Sequence, residues 1–256
     1  MSFHPDWLVP DWQGAGVGAV MTTRLGGASA GPFESMNLRN GLGDDPRAVA
    51  ANQAALALAI GARPVFTHQV HVAHVVRLYA ADSRAAAPVH EADASVTTEP
   101  GVACAVQVAD CLPVLFAAPR WRAVGAAHAG WRGLARGVLE ATVHEVCVAA
   151  NCEPIEIHSW LGPCIGPRHF EVGADVLQAF GASAMQADAA RFQPHKPGKW
   201  LANLTALARD RLAAAGVSKV SGGNWCTVET PSRFFSHRRD GVTGRMAAMV
   251  WIRRPD

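Results

Sequence analysis

Hydrophobic positions along the chain fall in short runs separated by glycine, proline and small polar residues, with longer stretches where they recur at helical spacing. Val17–Thr23 is the first run and reads as a strand that ends in the loop Arg24-Leu25-Gly26-Gly27-Ala28-Ser29-Ala30-Gly31-Pro32. Asp44-Asp45-Pro46 marks a helix start, since an acidic N-cap accepts a free N–H and proline fits the first turn. That helix runs from Arg47 to Ile60 and stops at Gly61. Pro64–Leu78 reads as one Val-rich strand interrupted by histidines, and Ala92–Thr97, Val102–Val108, Leu112–Ala117 and Arg122–Ala127 as short strands bounded by turn residues. Leu134, Val138, Leu139, Val143 and Val146 share one face of a helix over Leu134–Ala150. Then come a strand Ile155–Leu161, a Gly/Pro loop Gly162–Pro167, helices at Val172–Phe180 and Leu201–Ala215, and strands Val217–Ser221 and Met246–Ile252.

Strands and helices alternate irregularly, with hairpin-like strand pairs. This predicts α/β with mixed sheets in place of a doubly wound parallel sheet. No repeat, low-complexity segment or linker divides the chain, so residues 1–256 are expected to form a single catalytic domain.

Composition narrows the function classes. The chain is 50% hydrophobic, enough for a large core, and its net charge of +2 is spread without a basic arm, so no nucleic-acid partner is expected. Met1-Ser2-Phe3-His4-Pro5-Asp6 lacks the charged-then-apolar pattern of a secretory signal. The longest apolar run, Val102–Ala118, is broken by Gln107, Asp110 and Pro113, so no membrane span is expected. Six scattered cysteines without a C-x-x-C pair suit free thiols in the cytoplasm.

Candidate chemistry lies where apolar runs stop. Cys111 and His128 each follow a β-type run, at the edge of the core where a side chain faces a pocket. In a regular strand alternate residues share a face, so His71 would sit with Gln69 and turn away from His68 and His74. A helix opening near Trp131-Arg132-Gly133 offers free N–H groups that favour a thiolate or an anionic substrate nearby. One thiolate and two imidazoles make a three-ligand zinc set with a fourth position open, the catalytic arrangement. Spacing alone leaves the alternative of a core cysteine and hydrogen-bonded histidines standing.

The motifs, taken in order, carry a resemblance. They are Thr22-Thr23-Arg24-Leu25-Gly26-Gly27, Ser35-Met36-Asn37-Leu38, Gly43-Asp44-Asp45-Pro46, Gln69-Val70-His71 and Ala92-Asp93-Ala94-Ser95. The more specific ones are Ala109-Asp110-Cys111-Leu112-Pro113-Val114-Leu115-Phe116 and His128-Ala129-Gly130-Trp131-Arg132-Gly133. Leu161-Gly162-Pro163, Phe170-Glu171-Val172-Gly173 and Phe234 to Gly241 follow. Over nearly its whole length the chain resembles the bacterial polyphenol-oxidase-like, or peptidoglycan-editing-factor, family, whose members are also described as zinc-dependent purine nucleoside phosphorylases. The resemblance implies an α-β-β-α layered sandwich similar to cysteine hydrolases of the cytotoxic-necrotizing-factor type. It places the metal ligands, which are also the catalytic candidates, on His71, Cys111 and His128. Departures are His237, where the family commonly has tyrosine, and Asn203, where it often has aspartate; both bear on substrate preference.

The resemblance implies phosphorolysis of purine nucleosides to free base and ribose 1-phosphate, with deamination of adenosine as a second reaction. Phosphorolysis needs an anion site. Arg24, helped by the amides of Gly26 and Gly27, is the first candidate, and Arg238 with Arg239 the second, unless these pair with Asp240. Asn37 is a candidate hydrogen-bond donor to sugar or phosphate. Glu171 is either an acid/base or a helix-start carboxylate; Asp110 either orients a ligand histidine or caps its turn. His169-Phe170-Glu171 matches half of the nucleobase-deaminase signature, but no P-C-x-x-C follows. The runner-up is an amidase that removes L-serine from UDP-linked muramic acid, with Cys111 as nucleophile or ligand and His128 as base. Copper-dependent phenol oxidation ranks behind zinc chemistry because the chain has no His-x-His pair. A structural metal-binding module would close the fourth position.

Overall fold

The computed structural model describes residues 3–11, 16–84, 87–183 and 188–254. Its elements are β1 (Val17–Met21), α1 (Pro46–Ile60), β2 (Arg63–Phe66), β3 (Val75–Leu78), β4 (Ala94–Thr97), β5 (Val102–Val108), β6 (Leu112–Ala117) and β7 (Val124–Ala129). They continue with α2 (Trp131–Ala135), α3 (Val138–Ala150), β8 (His158–Leu161), β9 (Glu171–Val172), α4 (Ala174–Ala179), β10 (Phe192–Lys196) and β11 (Lys199–Ala202). The last are α5 (Leu204–Ala214), β12 (Lys219–Gly222), α6 (His237–Asp240) and β13 (Met246–Ile252).

Among these residues the strands form a four-stranded sheet, order β1-β13-β5-β2, a six-stranded sheet, order β12-β8-β6-β7-β4-β3, and a small sheet β10-β11-β9. Both larger sheets are mixed: β2 runs parallel to β5, β3 to β4 and β12 to β8, and the other pairs are antiparallel. Strand alternation then sorts the core into layers. Along β5, Val102, Cys104, Val106 and Val108 pack between the two large sheets, while Ala103 and Ala105 turn outward to Leu56 and Ile60 of α1. Along β7, Val124 and Ala126 face the same inter-sheet core, and Ala127 and Ala129 turn to Val138, Leu139 and Val143 of α3. The layers are therefore helix, sheet, sheet, helix, the order that the family resemblance implied. In β1, Gly18 lies opposite Trp251, and a Cβ there would run into the indole, so the glycine makes room for a core tryptophan.

α1 begins and ends as its sequence predicts. The Asp45 carboxylate accepts from the Arg47 N–H (2.9 Å), Pro46 occupies the first turn, and Gly61 closes the helix in the left-handed conformation (φ 62°). From its buried face, Asn52 organises the loop after β1. Its amide donates to the Ser29 hydroxyl and to the Ser35 and Asn37 carbonyls, and it accepts from the Ala28 N–H.

Several expected elements differ. Pro64–Leu78 is two strands in different sheets, joined by an irregular segment that holds His68, His71 and His74, so strand alternation does not govern those histidines. The expected helix over Leu134–Ala150 is two helices, because Gly137 takes a left-handed φ of 92° between them. The expected helices at Val172–Phe180 and Leu201–Ala215 each begin with a strand residue or two before the helix; in the second, the Asn203 side chain caps Ala206 N–H and starts the helix afresh. The strand expected to end at Ala127 runs to Ala129, which puts His128 inside β7. No helix among the described residues is long and apolar enough to cross a membrane.

Asn52→Ala removes four hydrogen bonds and takes the side-chain donor from the buried Asn37 carbonyl, while the Ser35 carbonyl keeps the Ser29 N–H. The expected outcome is a loss of about 1–3 kcal/mol in unfolding free energy at unchanged denaturant m-value, read from urea titration.

Candidate metal centre

The chain crosses between the stacked sheets near one end of the inter-sheet core, and the candidate ligands sit at those crossings. Cys111 occupies the turn between β5 and β6, which belong to different sheets; the preceding Asp110 has a φ of 100°. His71 lies in the crossing from β2 to β3 and is itself left-handed, with φ 64°. His128 is on β7, on the face that Val124 and Ala126 present to the inter-sheet core.

The Cys111 Sγ and His71 Nε2 atoms are 3.8 Å apart, and the His71 and His128 rings meet edge to face with centroids 4.8 Å apart. One ligand atom from each of the three residues lies within 4.8 Å of the others. Gly130 forms the wall beside them: a Cβ there would stand 2.8 Å from His71 Cδ2 and 2.9 Å from Cys111 Sγ. A soft sulfur and two imidazole nitrogens converging on one point, against a wall with no side chain, fit a divalent metal of the zinc type.

Asp93 stands behind this set, fully buried just before β4. Its Oδ1 accepts from His128 Nδ1 (2.8 Å), and its Oδ2 accepts from the Val70 and Val72 N–H groups (3.0 and 2.9 Å), on either side of His71. One carboxylate thus fixes the His128 ring, with Nε2 left for the centre, and the backbone that carries His71. The same loop is pinned to β5 by Gln69, whose amide bonds both backbone groups of Gln107.

The electrostatics follow from this packing. Burial pushes the Cys111 thiol up, but the His128 charge and hydrogen bonds from both histidines outweigh it and bring it down to about 6. Burial pushes His128 down, while the Cys111 and Asp93 charges and bonds carry it up to about 9. Burial also opposes ionisation of Asp93, yet the His128 bond and the two backbone N–H groups hold its carboxyl below the usual range. The three form a thiolate–imidazolium–carboxylate chain, and a metal cation would take the place of the imidazolium charge beside the thiolate.

The other sequence candidates are distributed around this centre. Asp110 touches neither histidine: its carboxylate accepts from the Thr227 hydroxyl (2.5 Å) and the Arg238 N–H (2.6 Å), and so ties two distant segments to the Cys111 turn. Arg238 is exposed, with its guanidinium on the His169 and Glu171 carbonyls and over the Phe170 ring. Arg239, not Arg238, pairs with Asp240 (2.7 Å). Arg24 donates to the Glu34 and Pro231 carbonyls and lies over the Phe235 ring. Asn37 is fully buried and holds the backbones of Arg39 and Arg245. Glu171 sits in β9 beside Lys196 (3.1 Å). Sequence reasoning passed over Asp93, Gly130, Arg39 and Arg245. Asp93 was visible only inside a quoted motif, and Gly130 only as the gap between His128 and Trp131. A second cluster, His169, Cys226 and Glu229, is more exposed, and its carboxylate is already forked by Arg168 (2.8 and 2.6 Å).

A family model described as multi-copper polyphenol oxidoreductase laccase matches residues 18–253. A Pseudomonas aeruginosa protein named purine nucleoside phosphorylase is 48% identical over 247 residues, covering 96% of this chain and 98% of that protein. The Escherichia coli protein named purine nucleoside phosphorylase YfiH is 46% identical over 252 residues, with 96% and 98% covered. A crystal structure of a Neisseria meningitidis protein superposes with a TM-score of 0.89 at 44% identity, covering 97% of this chain and 100% of that one. That of YlmD from Geobacillus stearothermophilus gives 0.85 at 34% identity, with 94% and 93% covered.

Two substitutions test the centre. Asp93→Asn should lower zinc affinity about 10–100-fold in a competitive chelator titration, with far-UV circular dichroism unchanged. Gly130→Ala, whose methyl enters the ligand space, should prevent stoichiometric zinc uptake, measured by elemental analysis after dialysis against zinc.

Proposed function

We propose that this chain, which belongs to the multi-copper polyphenol oxidoreductase laccase family, is a zinc-dependent purine nucleoside phosphorylase of the cytoplasm. The observation that carries the reading is the convergence of Cys111, His71 and His128 against Gly130, backed by the buried Asp93. Relatives at 46–48% identity carry the phosphorylase name. The substrates of this reading are adenosine, inosine and guanosine with inorganic phosphate, and adenosine deamination is a second reaction of the same site.

His71, Cys111 and His128 would hold the metal. When bound, it supplies Lewis-acid stabilisation of negative charge on oxygen. The protein's own groups do the rest. Asp93 keeps the proton on His128 Nδ1, and so fixes the tautomer that points Nε2 into the site. Asp110 keeps the Thr227 and Arg238 segments against the Cys111 turn, where they would wall the substrate side. In phosphorolysis a phosphate oxygen bonds the anomeric carbon, the carbon–nitrogen bond breaks, and its electron pair leaves with the purine, which takes up a proton. The site's task is to align the two reactants and shield that charge. Of the expected substrate contacts, Arg238 lies beside Asp110 and Arg24 in the loop packed on Phe235, whereas Asn37 is fully buried with its amide on Arg39, Asp44 and Arg245 and is not the free donor expected.

A second reading rests on the Cys111 sulfur, which lies 3.8 Å from His71 and is activated by His128. That is also the geometry of a thiol nucleophile, as in an amidase removing L-serine from UDP-linked muramic acid. It is the reading to which a likeness to cysteine hydrolases of the cytotoxic-necrotizing-factor type would belong. Copper in place of zinc ranks third, since the chain has no His-x-His pair and the His169, Cys226 and Glu229 cluster, its carboxylate already forked by Arg168, is no second centre of the same kind.

Product analysis of zinc-loaded protein with each nucleoside, with and without phosphate, separates these. Free base and ribose 1-phosphate formed only with phosphate is the expected result. Inosine formed from adenosine in both samples would establish deamination, and serine released from the muramic acid precursor alone would move the function to the amidase. Cys111→Ala should lower turnover by at least about 1000-fold while the circular dichroism spectrum is kept.

A further inference from the structure

We propose that Arg39 and Arg245 form an oxyanion site beside the metal centre and that its ligand is inorganic phosphate; the proposal deepens the phosphorylase reading above and rests on it for the identity of the ligand. The placement follows from strand register. Met246, the first residue of β13, pairs with Val108, so Arg245 falls opposite Ala109, next to Asp110 and Cys111. The loop that bears Arg39 is fastened alongside. Leu38 N–H donates to the Arg245 carbonyl (3.1 Å), and the Leu38 carbonyl accepts from Gln107 of β5 (2.6 Å) and Gln53 of α1 (2.8 Å).

Asn37 is the clamp. Its Oδ1 accepts from the Arg39 N–H (3.1 Å) and the Arg245 N–H (2.9 Å). Its Nδ2 donates to the Arg39 carbonyl (3.1 Å) and to the Asp44 carboxylate (2.8 Å), which fixes the amide's orientation. One fully buried side chain therefore sets two arginine backbones side by side.

Neither guanidinium forms an ion pair among the described residues. Arg245 is half-buried and uses one nitrogen on the Thr243 and Gly244 carbonyls (2.9 and 3.1 Å). The Arg39 side chain has no hydrogen-bond or ion-pair partner among the described residues, and neither arginine pairs with a carboxylate there. Arg168, Arg191, Arg211 and Arg239 all do. Burial and the Arg39 charge both depress the Arg245 guanidinium, and only Cys111 and Asp110 work the other way. Two like charges carried on neighbouring backbones cost free energy until an anion joins them. A phosphate dianion answers both, since each guanidinium presents parallel N–H groups to a pair of its oxygens. A divalent metal on the nearby Cys111 would add to the same positive field.

The phosphate group could come free or as the diphosphate of a nucleotide-linked substrate, so the test carries both. Full-length protein, zinc-loaded and zinc-free, is titrated with inorganic phosphate and separately with UDP, by calorimetry and thermal shift. Arg39→Ala, Arg245→Lys and the wild type are compared, and KM values for phosphate and nucleoside are measured where turnover occurs. We expect phosphate to stabilise the wild type and its Kd and KM to rise about tenfold or more in Arg39→Ala, with zinc content unchanged and nucleoside KM moved far less. Arg245→Lys, which keeps the charge and loses the fork, should fall between. Unchanged phosphate affinity in Arg39→Ala would overturn the site and leave the phosphorylase reading standing. Weakened phosphate binding in that variant, with no nucleoside cleaved by the wild type, would keep the site and overturn the phosphorylase reading. UDP binding lost in Arg39→Ala, without any binding of free phosphate, would overturn the assignment of the ligand.

Discussion

The carboxylate of Asp93 joins the parts of the site that the chain supplies from separate places. It receives the His128 ring from β7 and two backbone N–H groups from the β2–β3 crossing, and its own carbonyl accepts the His128 N–H (2.7 Å). A charge with no solvent exposure is tolerated only when paired and hydrogen-bonded, and breaking such a pair costs several kcal/mol. The buried aspartate therefore strongly disfavours any arrangement in which the His71 loop or the His128 ring swings away. The two candidate histidines are held in place by the protein itself, because the stability of this part of the core depends on the same contacts.

Stacking of two mixed sheets explains why the ligands gather at one end. A chain that alternates between stacked sheets must cross the gap, and the crossings β2–β3 and β5–β6 carry His71 and Cys111. Crossing within so few residues demands unusual backbone, and the left-handed φ values of His71 and Asp110 fall there. Apolar alternation along β5, β6 and β7 then fixes which side chains face the gap, so His128 projects to the same place as the turn. The site is a by-product of layer geometry, refined by three polar anchors: Asp93 on the His71 loop, Gln69 on β5 and Asp110 on the 227 and 238 segments.

Most strands and the mixed-sheet α/β class were legible in the sequence because they depend on local periodicity, whereas the layering was implied only by the family resemblance. β5, β6 and α1 came out within a residue or so of their observed limits, since alternation, a proline start and a glycine stop are short-range signals. Cys111 and His128 stood out for the same reason, as polar residues at the ends of apolar runs. The rest depends on contacts distant in sequence. Nothing within Pro64–Leu78 says that Asp93 will take the N–H groups of Val70 and Val72 and so interrupt the strand. Nothing in Ser35-Met36-Asn37-Leu38 says that its asparagine will meet Arg245, 208 residues away. Arg24 drew attention as a lone cation among glycines, although its guanidinium bonds backbone carbonyls, whereas Arg39 gave no local sign.

Charges of both signs meet at the site. Asp93 and the Cys111 thiolate are negative, and Arg39 and Arg245 have no ion-pair partners among the described residues. A cation placed between the histidines meets the negative wall, and an oxyanion placed above it meets both the cation and the two guanidinium groups. In the proposed arrangement each ligand improves the place of the other, because the metal offsets the thiolate that would repel an anion, and the anion offsets the like charges of the two arginines whose backbones Asn37 joins. Metal and oxyanion would then bind with positive coupling through electrostatics alone, with no movement of the fold required.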